Sequence, residues 1–118
     1  MKATKLSSTN QYNKQTILSQ CPVTFTLNKI GGRWKPLILW QLQSQSKLRY
    51  NELRKGIPQI SEKMLIQNLK ELEIDEIIER QAREVVPPFV EYLLTDKGRA
   101  ISPILSAMAV WGMDHQKV

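Results

Sequence analysis

Cysteine and histidine are nearly absent from this 118-residue chain, which has one of each, Cys21 and His115. A single cysteine excludes a disulfide within the chain and gives no argument for an oxidising compartment. No group of residues has metal-ligand spacing, and no glycine-rich loop could cradle a phosphate. We therefore expect no metal, no other cofactor and no enzymatic activity, with His115 a solvated residue of the tail.

Long hydrophobic runs are also missing. None approaches the roughly 20 residues that span a bilayer, and the N-terminus lacks the apolar block of a secretory signal. The hydrophobic fraction is 42% and the charged fraction 24%, as in one globular domain. We expect a cytoplasmic protein with no membrane partner. Residues 1–20 are predicted to be a mobile leader or dimer arm, and residues 21–118 the folded domain.

Acidic residues are scarce in the first half of the chain. Residues 1–60 contain ten lysines or arginines and one acid, Glu52, whereas residues 61–80 contain three basic and six acidic residues. A positive half favours a polyanionic partner such as nucleic acid, and an anionic membrane surface less so. A basic surface that only keeps the protein soluble explains the same charges.

Proline, glycine and capping residues divide the first half into helices. Cys21 is predicted to cap a helix that begins at Pro22 and is closed by Gly31 and Gly32. Pro36 begins "KPLILWQL", which is apolar nearly all round and predicts a buried central helix. A short extended piece at residues 48–50 precedes a short helix, for which Asn51 is the expected cap and Gly56 the stop.

The segment "SEKMLIQNLKEL", residues 61–72, predicts a helix with two unlike faces. Ser61 is the expected N-cap. Met64, Leu65, Leu69 and Leu72 fall on one side at helical spacing, while Lys63, Gln67 and Lys70 repeat on the other. A solvated helix surface carries such residues as often as a binding surface does, so this pattern alone leaves both readings open.

Two strands and a terminal helix complete the prediction. "IIERQARE" and "FVEYLLT" are expected to form a hairpin, with Pro87 and Pro88 at its tip because proline cannot donate to the sheet. Thr95 is the expected cap of the terminal helix, and Pro103 predicts a kink or a restart capped by Ser102. The fold class is therefore mainly α with a small β-hairpin wing, an α+β winged helix-turn-helix.

Several blocks also match a known family in order and spacing. "CPVTFTLNKIGGRWKPLILWQL", "RYNELRKGIPQISEKMLIQNLKELE" and "VPPFVEYLLTDKGRAISPIL" resemble the HxlR-type branch of the MarR-like winged helix-turn-helix transcription regulators. The resemblance implies a bacterial, dimeric, double-stranded DNA-binding regulator, in several members responsive to electrophiles or oxidants. One departure is Glu76, where family members commonly have glycine. We expect a left-handed helix end filled by Glu76 at a cost of about 1 kcal/mol, with a helix that ends differently as the alternative.

In such a fold the helix after Ser61 enters the major groove. Lys63 and Gln67 are the predicted base readers, and Lys70 is a predicted phosphate contact. The complete set of predicted DNA-binding residues is Arg49, Arg54, Lys55, Ser61, Lys63, Ile66, Gln67, Lys70, Arg80 and Arg83. For each of them a solvated surface position is the alternative. Arg80 has a further alternative role, as the partner of Glu79 or Glu91 in an ion pair. The acidic residues from Glu71 to Glu79 are expected to face away from DNA.

The terminal helix predicts a homodimer. Its apolar stripe has no obvious intrachain element left to cover it, so we expect a two-fold partner at Ile101, Ile104, Leu105, Met108 and Trp111. Folding of this helix back onto its own domain is the alternative.

Cys21 is a candidate redox-sensing residue. A helix N-terminus favours a thiolate, which an oxidant or a small-molecule electrophile can modify. Lys29 and Arg33 would add positive charge if they lay nearby. The alternatives are a small buried hydrophobic residue for Cys21 and, for the whole protein, a protein-interaction module or a thiol-dependent enzyme.

Overall fold

The computed structural model describes residues 21–117, so the predicted leader or dimer arm at residues 1–20 lies outside the described residues. The described residues fall into two compact units, residues 21–31 and residues 32–117. Within residues 21–117, no helix is both long enough and apolar enough to cross a membrane.

The described part of the first unit is helix α1, Pro22–Ile30. Cys21 is its N-cap residue and Pro22 its first residue, as predicted. The N–H of Gly31 donates to the carbonyl of Leu27 at 2.7 Å and closes the helix. A Cβ on residue 31 would lie 2.3 Å from that same carbonyl oxygen, so the close approach requires glycine.

The second unit contains the remaining described helices and strands. In chain order they are α2 (Lys35–Ser44), β1 (Leu48–Arg49), α3 (Tyr50–Gly56), α4 (Glu62–Ile74), β2 (Ile78–Arg83), β3 (Phe89–Leu94), α5 (Asp96–Arg99) and α6 (Ser102–His115).

Helix α2 begins one residue before Pro36 and crosses the core of this unit. Ile38 and Leu39 are completely buried, but Leu37 and Trp40 are 44% and 37% exposed. The prediction of a helix buried nearly all round is therefore wrong for one side. The apolar composition of the segment could not separate its two faces.

Helix α3 is capped differently from the prediction. Arg49, not Asn51, is the N-cap residue, and its N–H donates to Oε1 of Glu52 at 2.7 Å. Glu52, at the third helical position, supplies the acceptor that a helix start needs, so the helix begins two residues before the position expected from Asn51. Gly56 ends the helix as predicted.

Helix α4 begins and ends with complete caps. Ser61 Oγ accepts from the N–H of Met64 at 3.1 Å, as its sequence position predicts. At the other end the N–H of Ile77 donates to Leu72 and the N–H of Glu76 to Glu73, which is a Schellman motif. Glu76 has a φ of 59°, so the departure from glycine does place a side chain in the left-handed region.

The strands form one antiparallel sheet in the order β1-β3-β2. Strands β2 and β3 pair from Ile78 with Leu94 to Arg83 with Phe89, and residues 84–88 form the tip of the predicted wing. Strand β1 covers the other edge of β3, pairing Arg49 with Glu91. The sheet therefore joins the start of α3 to the wing.

The terminal region contains a short helix and a long one. Thr95 caps α5 as predicted, its Oγ1 accepting from the N–H of Gly98 at 3.0 Å. The chain then turns, and α6 restarts with Pro103 in its first turn. The predicted restart is correct, but Ile101 rather than Ser102 is the cap residue. Ser102 is already helical, because the carbonyl of Ile101 accepts the first helical hydrogen bonds.

Candidate nucleic-acid interface

The two faces of α4 differ as its sequence pattern predicts. Four residues are buried and anchor the helix: Leu65, Asn68, Leu69 and Leu72. Asn68 was not expected on this face. Its Nδ2 donates to the carbonyl of Met64 at 2.7 Å, which satisfies part of its polar side chain within the helix. Lys63, Gln67 and Lys70 are exposed on the other face, and Ile66 is 42% exposed.

A shallow groove of about 440 Å³ runs along the exposed face. It is lined by Lys63, Ile66, Gln67, Lys70 and Glu71. The four candidate base and phosphate contacts of this helix are thus neighbours on one surface. Glu71 belongs to the same surface, although the acidic residues from Glu71 to Glu79 are expected to face away from DNA. The cause is helical spacing, since Glu71 lies four residues after Gln67.

Glu71 is held from two sides. Its Oε1 lies 2.7 Å from Nζ of Lys35, which is the first residue of α2 and only 9% exposed. Its Oε2 accepts from Nε2 of Gln67 at 3.2 Å. The hydrogen bond from Lys35, then that from Gln67, lowers the pKa of Glu71 below its usual range. No sequence pattern indicated a role for Lys35, although the four-residue spacing of Gln67 and Glu71 was visible.

Helix α3 and strand β1 contain three of the predicted DNA-binding residues. Arg49 is exposed, and its guanidinium lies 3.7 Å above the ring of Phe89. Arg54 lies 4.0 Å from Glu62, in the first turn of α4. Lys55 is exposed and makes no ion pair with any residue from 21 to 117. Stacking of Arg49 fixes the direction of its guanidinium next to the wing.

The two wing arginines have different surroundings. Arg83 donates from Nε to Oε1 of Glu91 at 2.8 Å and from Nη2 to Oε1 of Gln81 at 2.6 Å. Arg80 is exposed, and among the described residues it has no ion-pair partner. The carboxylate of Glu91, considered as a partner for Arg80, is thus used by Arg83. The wing tip beyond them is apolar, with Val86 98% exposed.

The stripe on α6 is covered only in part. Leu105 is only 5% exposed, because α6 packs against α2. The expectation that no intrachain element covers the stripe is therefore wrong for Leu105. Ile101 is half-buried. Ile104, Met108 and Trp111 are 45%, 54% and 66% exposed and lie on one side of α6 at helical spacing.

Cys21 is a half-buried free thiol at the start of α1. The backbone N–H of Thr24 and then that of Val23 lower the pKa of the Cys21 thiol, as expected at a helix N-terminus. The ammonium of Lys29 lies 5.5 Å from the ring centroid of Phe25, and the guanidinium of Arg33 lies 4.9 Å from that of Trp34.

A helix-turn-helix of α3 and α4 followed by the β2–β3 hairpin defines a winged helix-turn-helix DNA-binding protein. The sequence profile of the HxlR-like helix-turn-helix family matches residues 29–118, and the chain belongs to that family. The protein is thus an HTH-type transcriptional regulator, and the family is one of regulators rather than enzymes.

Similar proteins include an uncharacterized HTH-type transcriptional regulator of Bacillus subtilis (strain 168), YybR. It is 44% identical over 98 residues, which cover 83% of this chain and 78% of YybR. The structure of the redox regulator HypR in its oxidized form has a TM-score of 0.79 at 44% identity, covering 83% of this chain and 100% of HypR. The structure of reduced YodB from B. subtilis has a TM-score of 0.70 at 37% identity, covering 83% of this chain and 96% of YodB.

Proposed function

We propose that the protein is a sequence-specific repressor that binds double-stranded DNA as a homodimer and reads a pseudo-palindromic operator. The observation that carries this proposal is the exposed row of Lys63, Gln67 and Lys70 on a helix whose opposite face is buried. A core-anchored helix with long polar side chains can reach base edges in the major groove. Lysine donates to guanine acceptors, and glutamine pairs with adenine.

Phosphate contacts supply the affinity. Ser61 and Lys70 flank the base readers on α4. Lys55 and Arg80 have no ion-pair partner among residues 21–117, and Arg49 and Arg54 are exposed as well. Each lysine or arginine that neutralises a phosphate releases counterions, so binding weakens with rising salt. Arg83 is assigned mainly to the hairpin because its guanidinium is already occupied.

The test is fluorescence anisotropy of the reduced protein with the duplex upstream of its own reading frame and with a random duplex of equal length. We expect a preference of about 10³-fold or more. Lys63→Ala and Gln67→Ala should reduce that preference, because they remove base contacts. Equal, weak and strongly salt-dependent binding to both duplexes would contradict the assignment of this operator. Absence of binding to any duplex would favour a protein-interaction module.

Repression has its own test. A reporter gene placed behind the bound duplex should be expressed more strongly when the regulator is deleted, and expression should fall again when the unmodified protein is supplied. Lower expression after deletion would instead identify an activator.

Dimerisation is proposed through α6 with a second copy of the chain. The exposed residues Ile104, Met108 and Trp111 form an apolar surface that a two-fold partner would cover. Two copies would place their recognition helices about 34 Å apart, one turn of DNA. Light scattering should give twice the mass of the chain at micromolar concentration, and a monomer there would refute this part of the proposal.

A redox response is proposed at Cys21. Its lowered pKa favours the reactive thiolate, and the similar protein HypR is a redox regulator. With one cysteine in the chain, a protein disulfide must join Cys21 of two protomers, while an electrophile or a small thiol could cap it singly. Oxidant or quinone treatment should release the unmodified protein from DNA. If Cys21→Ser is released equally well, Cys21 is not the sensor.

A further inference from the structure

Lys35 is an unusual residue for its position. It is the first residue of α2, where the helix dipole disfavours a positive charge, and its side chain is 11% exposed. A buried ammonium needs a partner that compensates for lost hydration. That partner is Glu71, at 2.7 Å, on the groove face of the recognition helix.

The ion pair determines how Gln67 is oriented. One carboxylate oxygen of Glu71 is held by Lys35, and the other accepts from Nε2 of Gln67 at 3.2 Å. A reversed Gln67 amide would place its oxygen against the carboxylate, with no proton between them. The Glu71 carboxylate, held by the buried Lys35, therefore keeps the amide nitrogen towards itself and directs the amide oxygen away.

Hydrogen-bond complementarity then selects the base. With one N–H used by Glu71, Gln67 retains one acceptor and one donor. Adenine presents one donor, N6–H, and one acceptor, N7, in the major groove, whereas guanine presents two acceptors. A free glutamine amide could turn its two N–H groups to guanine. The anchored amide matches adenine.

We propose that Lys35 and Glu71 are positioning residues that fix the amide of Gln67 and so commit it to adenine. This inference rests on the proposed sequence-specific DNA binding and adds two residues that set its specificity without needing to touch a base themselves. It also explains why a carboxylate is present on a surface proposed to face DNA.

The experiment uses an operator selected by the unmodified full-length protein from a randomised duplex pool. Affinities are measured for that operator and for all its single-base-pair variants. Gln67→Ala identifies the base pair that Gln67 reads. At that position the unmodified protein should prefer adenine to guanine by about tenfold. Lys35→Met and Glu71→Ala should each reduce this ratio to about one.

The two variants should move overall affinity in opposite directions. Lys35→Met leaves the charge of Glu71 uncompensated beside DNA and should weaken binding to every duplex, whereas Glu71→Ala removes that charge and should strengthen it. The matched controls are Lys47→Met and Glu73→Ala, which make the same chemical changes at exposed positions outside the proposed set of DNA contacts. Both should retain the ratio of adenine to guanine.

A double-mutant cycle separates positioning from direct contact. In the Gln67→Ala background, Lys35→Met and Glu71→Ala should cause no further loss of preference at that base pair. Loss at a different base pair in Glu71→Ala would mean that Glu71 reads a base itself and would overturn the proposal. An unchanged ratio of adenine to guanine in folded Lys35→Met or folded Glu71→Ala would also overturn the proposal.

Folding is checked by circular dichroism and thermal melting. If Lys35→Met does not fold, Glu71→Ala decides, because its side chain is 44% exposed and its removal opens no core cavity. A retained ratio in Glu71→Ala overturns the inference, and a lost ratio supports it. If the unmodified protein prefers no sequence in the pool, the proposed function fails instead, and that result is seen before any variant is made.

Discussion

Arg83 and Glu91 are joined across the hairpin by a hydrogen-bonded ion pair, Nε to Oε1 at 2.8 Å, which occupies the arginine nearest the wing tip. The other arginine of strand β2, Arg80, points to the opposite face of the sheet and lines a crevice with Ile66 and Lys70 of α4. Position along the strand therefore separates a hairpin arginine from a candidate DNA arginine.

Arg80→Ala is expected to weaken binding to every duplex. It removes an exposed positive charge next to α4, so the slope of log affinity against log salt should fall in magnitude by about one. Arg83→Ala is the matched control and should change this slope less, because its guanidinium is engaged by Glu91 and Gln81. Anisotropy titrations at four salt concentrations measure both slopes. A larger change in Arg83→Ala would reverse the assignment.

The ion pair should also make stability depend on pH. The hydrogen bond from Arg83 is the main cause that lowers the pKa of Glu91, despite partial burial. A carboxylate with a lowered folded-state pKa stabilises the fold above its unfolded pKa of about 4.3, and this contribution is lost as pH falls through the folded-state value. The difference in melting temperature between the unmodified protein and Glu91→Gln should be largest near neutral pH and shrink in acid. A constant difference would exclude this linkage.

Glu76→Gly should stabilise the protein. Glu76 has a φ of 59°, a conformation that glycine adopts without the penalty of a Cβ. The expected gain in the free energy of unfolding is about 1 kcal/mol. Glu73→Gly, within the last turn of the same helix, is the control and should lose about as much. Urea denaturation measures both, and a loss in Glu76→Gly would show that its side chain makes a compensating contact.

Two neighbouring residues of α6 should separate folding from dimerisation. Met108 is 54% exposed, so Met108→Lys should leave the melting temperature of the monomer nearly unchanged and weaken association. Leu105 is 5% exposed, and Leu105→Ala should cost about 2 to 5 kcal/mol of folding free energy. Light scattering and denaturant titration test the pair. A Met108→Lys protein that remains dimeric would place the interface elsewhere.

Reactivity of Cys21 should depend on the first turn of α1. The N–H of Thr24 is the main cause of the lowered pKa, with its side chain contributing less. Thr24→Pro removes both the backbone N–H and the side-chain hydroxyl in the first helical turn, where proline is tolerated. It should move the alkylation of the Cys21 thiol by iodoacetamide to higher pH. Thr24→Ala removes only the side chain and should cause a smaller shift. Identical profiles for all three proteins would exclude the proposed cause.

Local chemistry made the caps at Ser61 and Thr95 predictable, whereas contacts between distant residues could not be foreseen. Ser61 and Thr95 cap helices through hydrogen bonds to residues three positions later, which a sequence shows directly. The pairing of Lys35 with Glu71 depends on how α2 packs against α4. Flexible side chains of Lys35, Glu71 and Arg83 have several acceptable partners, and only the packed fold selects one.

The errors have two origins, one in competition between neighbouring residues and one in packing. Asn51 was a reasonable cap by residue type, but Glu52 gave Arg49 an alternative acceptor. Leu105 had the same helical spacing as its exposed neighbours, and the direction in which α6 packs decided which of them is buried. For the candidate site, periodicity predicted the exposed row of Lys63, Gln67 and Lys70 on α4. The presence of Glu71 on the same surface was not predicted.

The hydroxyl of Thr95 does more than cap α5. It donates to the carbonyl of Glu76 at 2.7 Å and accepts from the N–H of Gly98 at 3.0 Å. One side chain thus connects the residues that end α4 to the start of α5. Lys97 adds a second tie, to the carbonyl of Asp75 at 2.9 Å. Any rotation of the terminal helices that stretches these bonds will act on the end of α4. Two side chains thus fasten the helix proposed to read DNA to α5, the short helix that leads into the helix proposed to join two protomers.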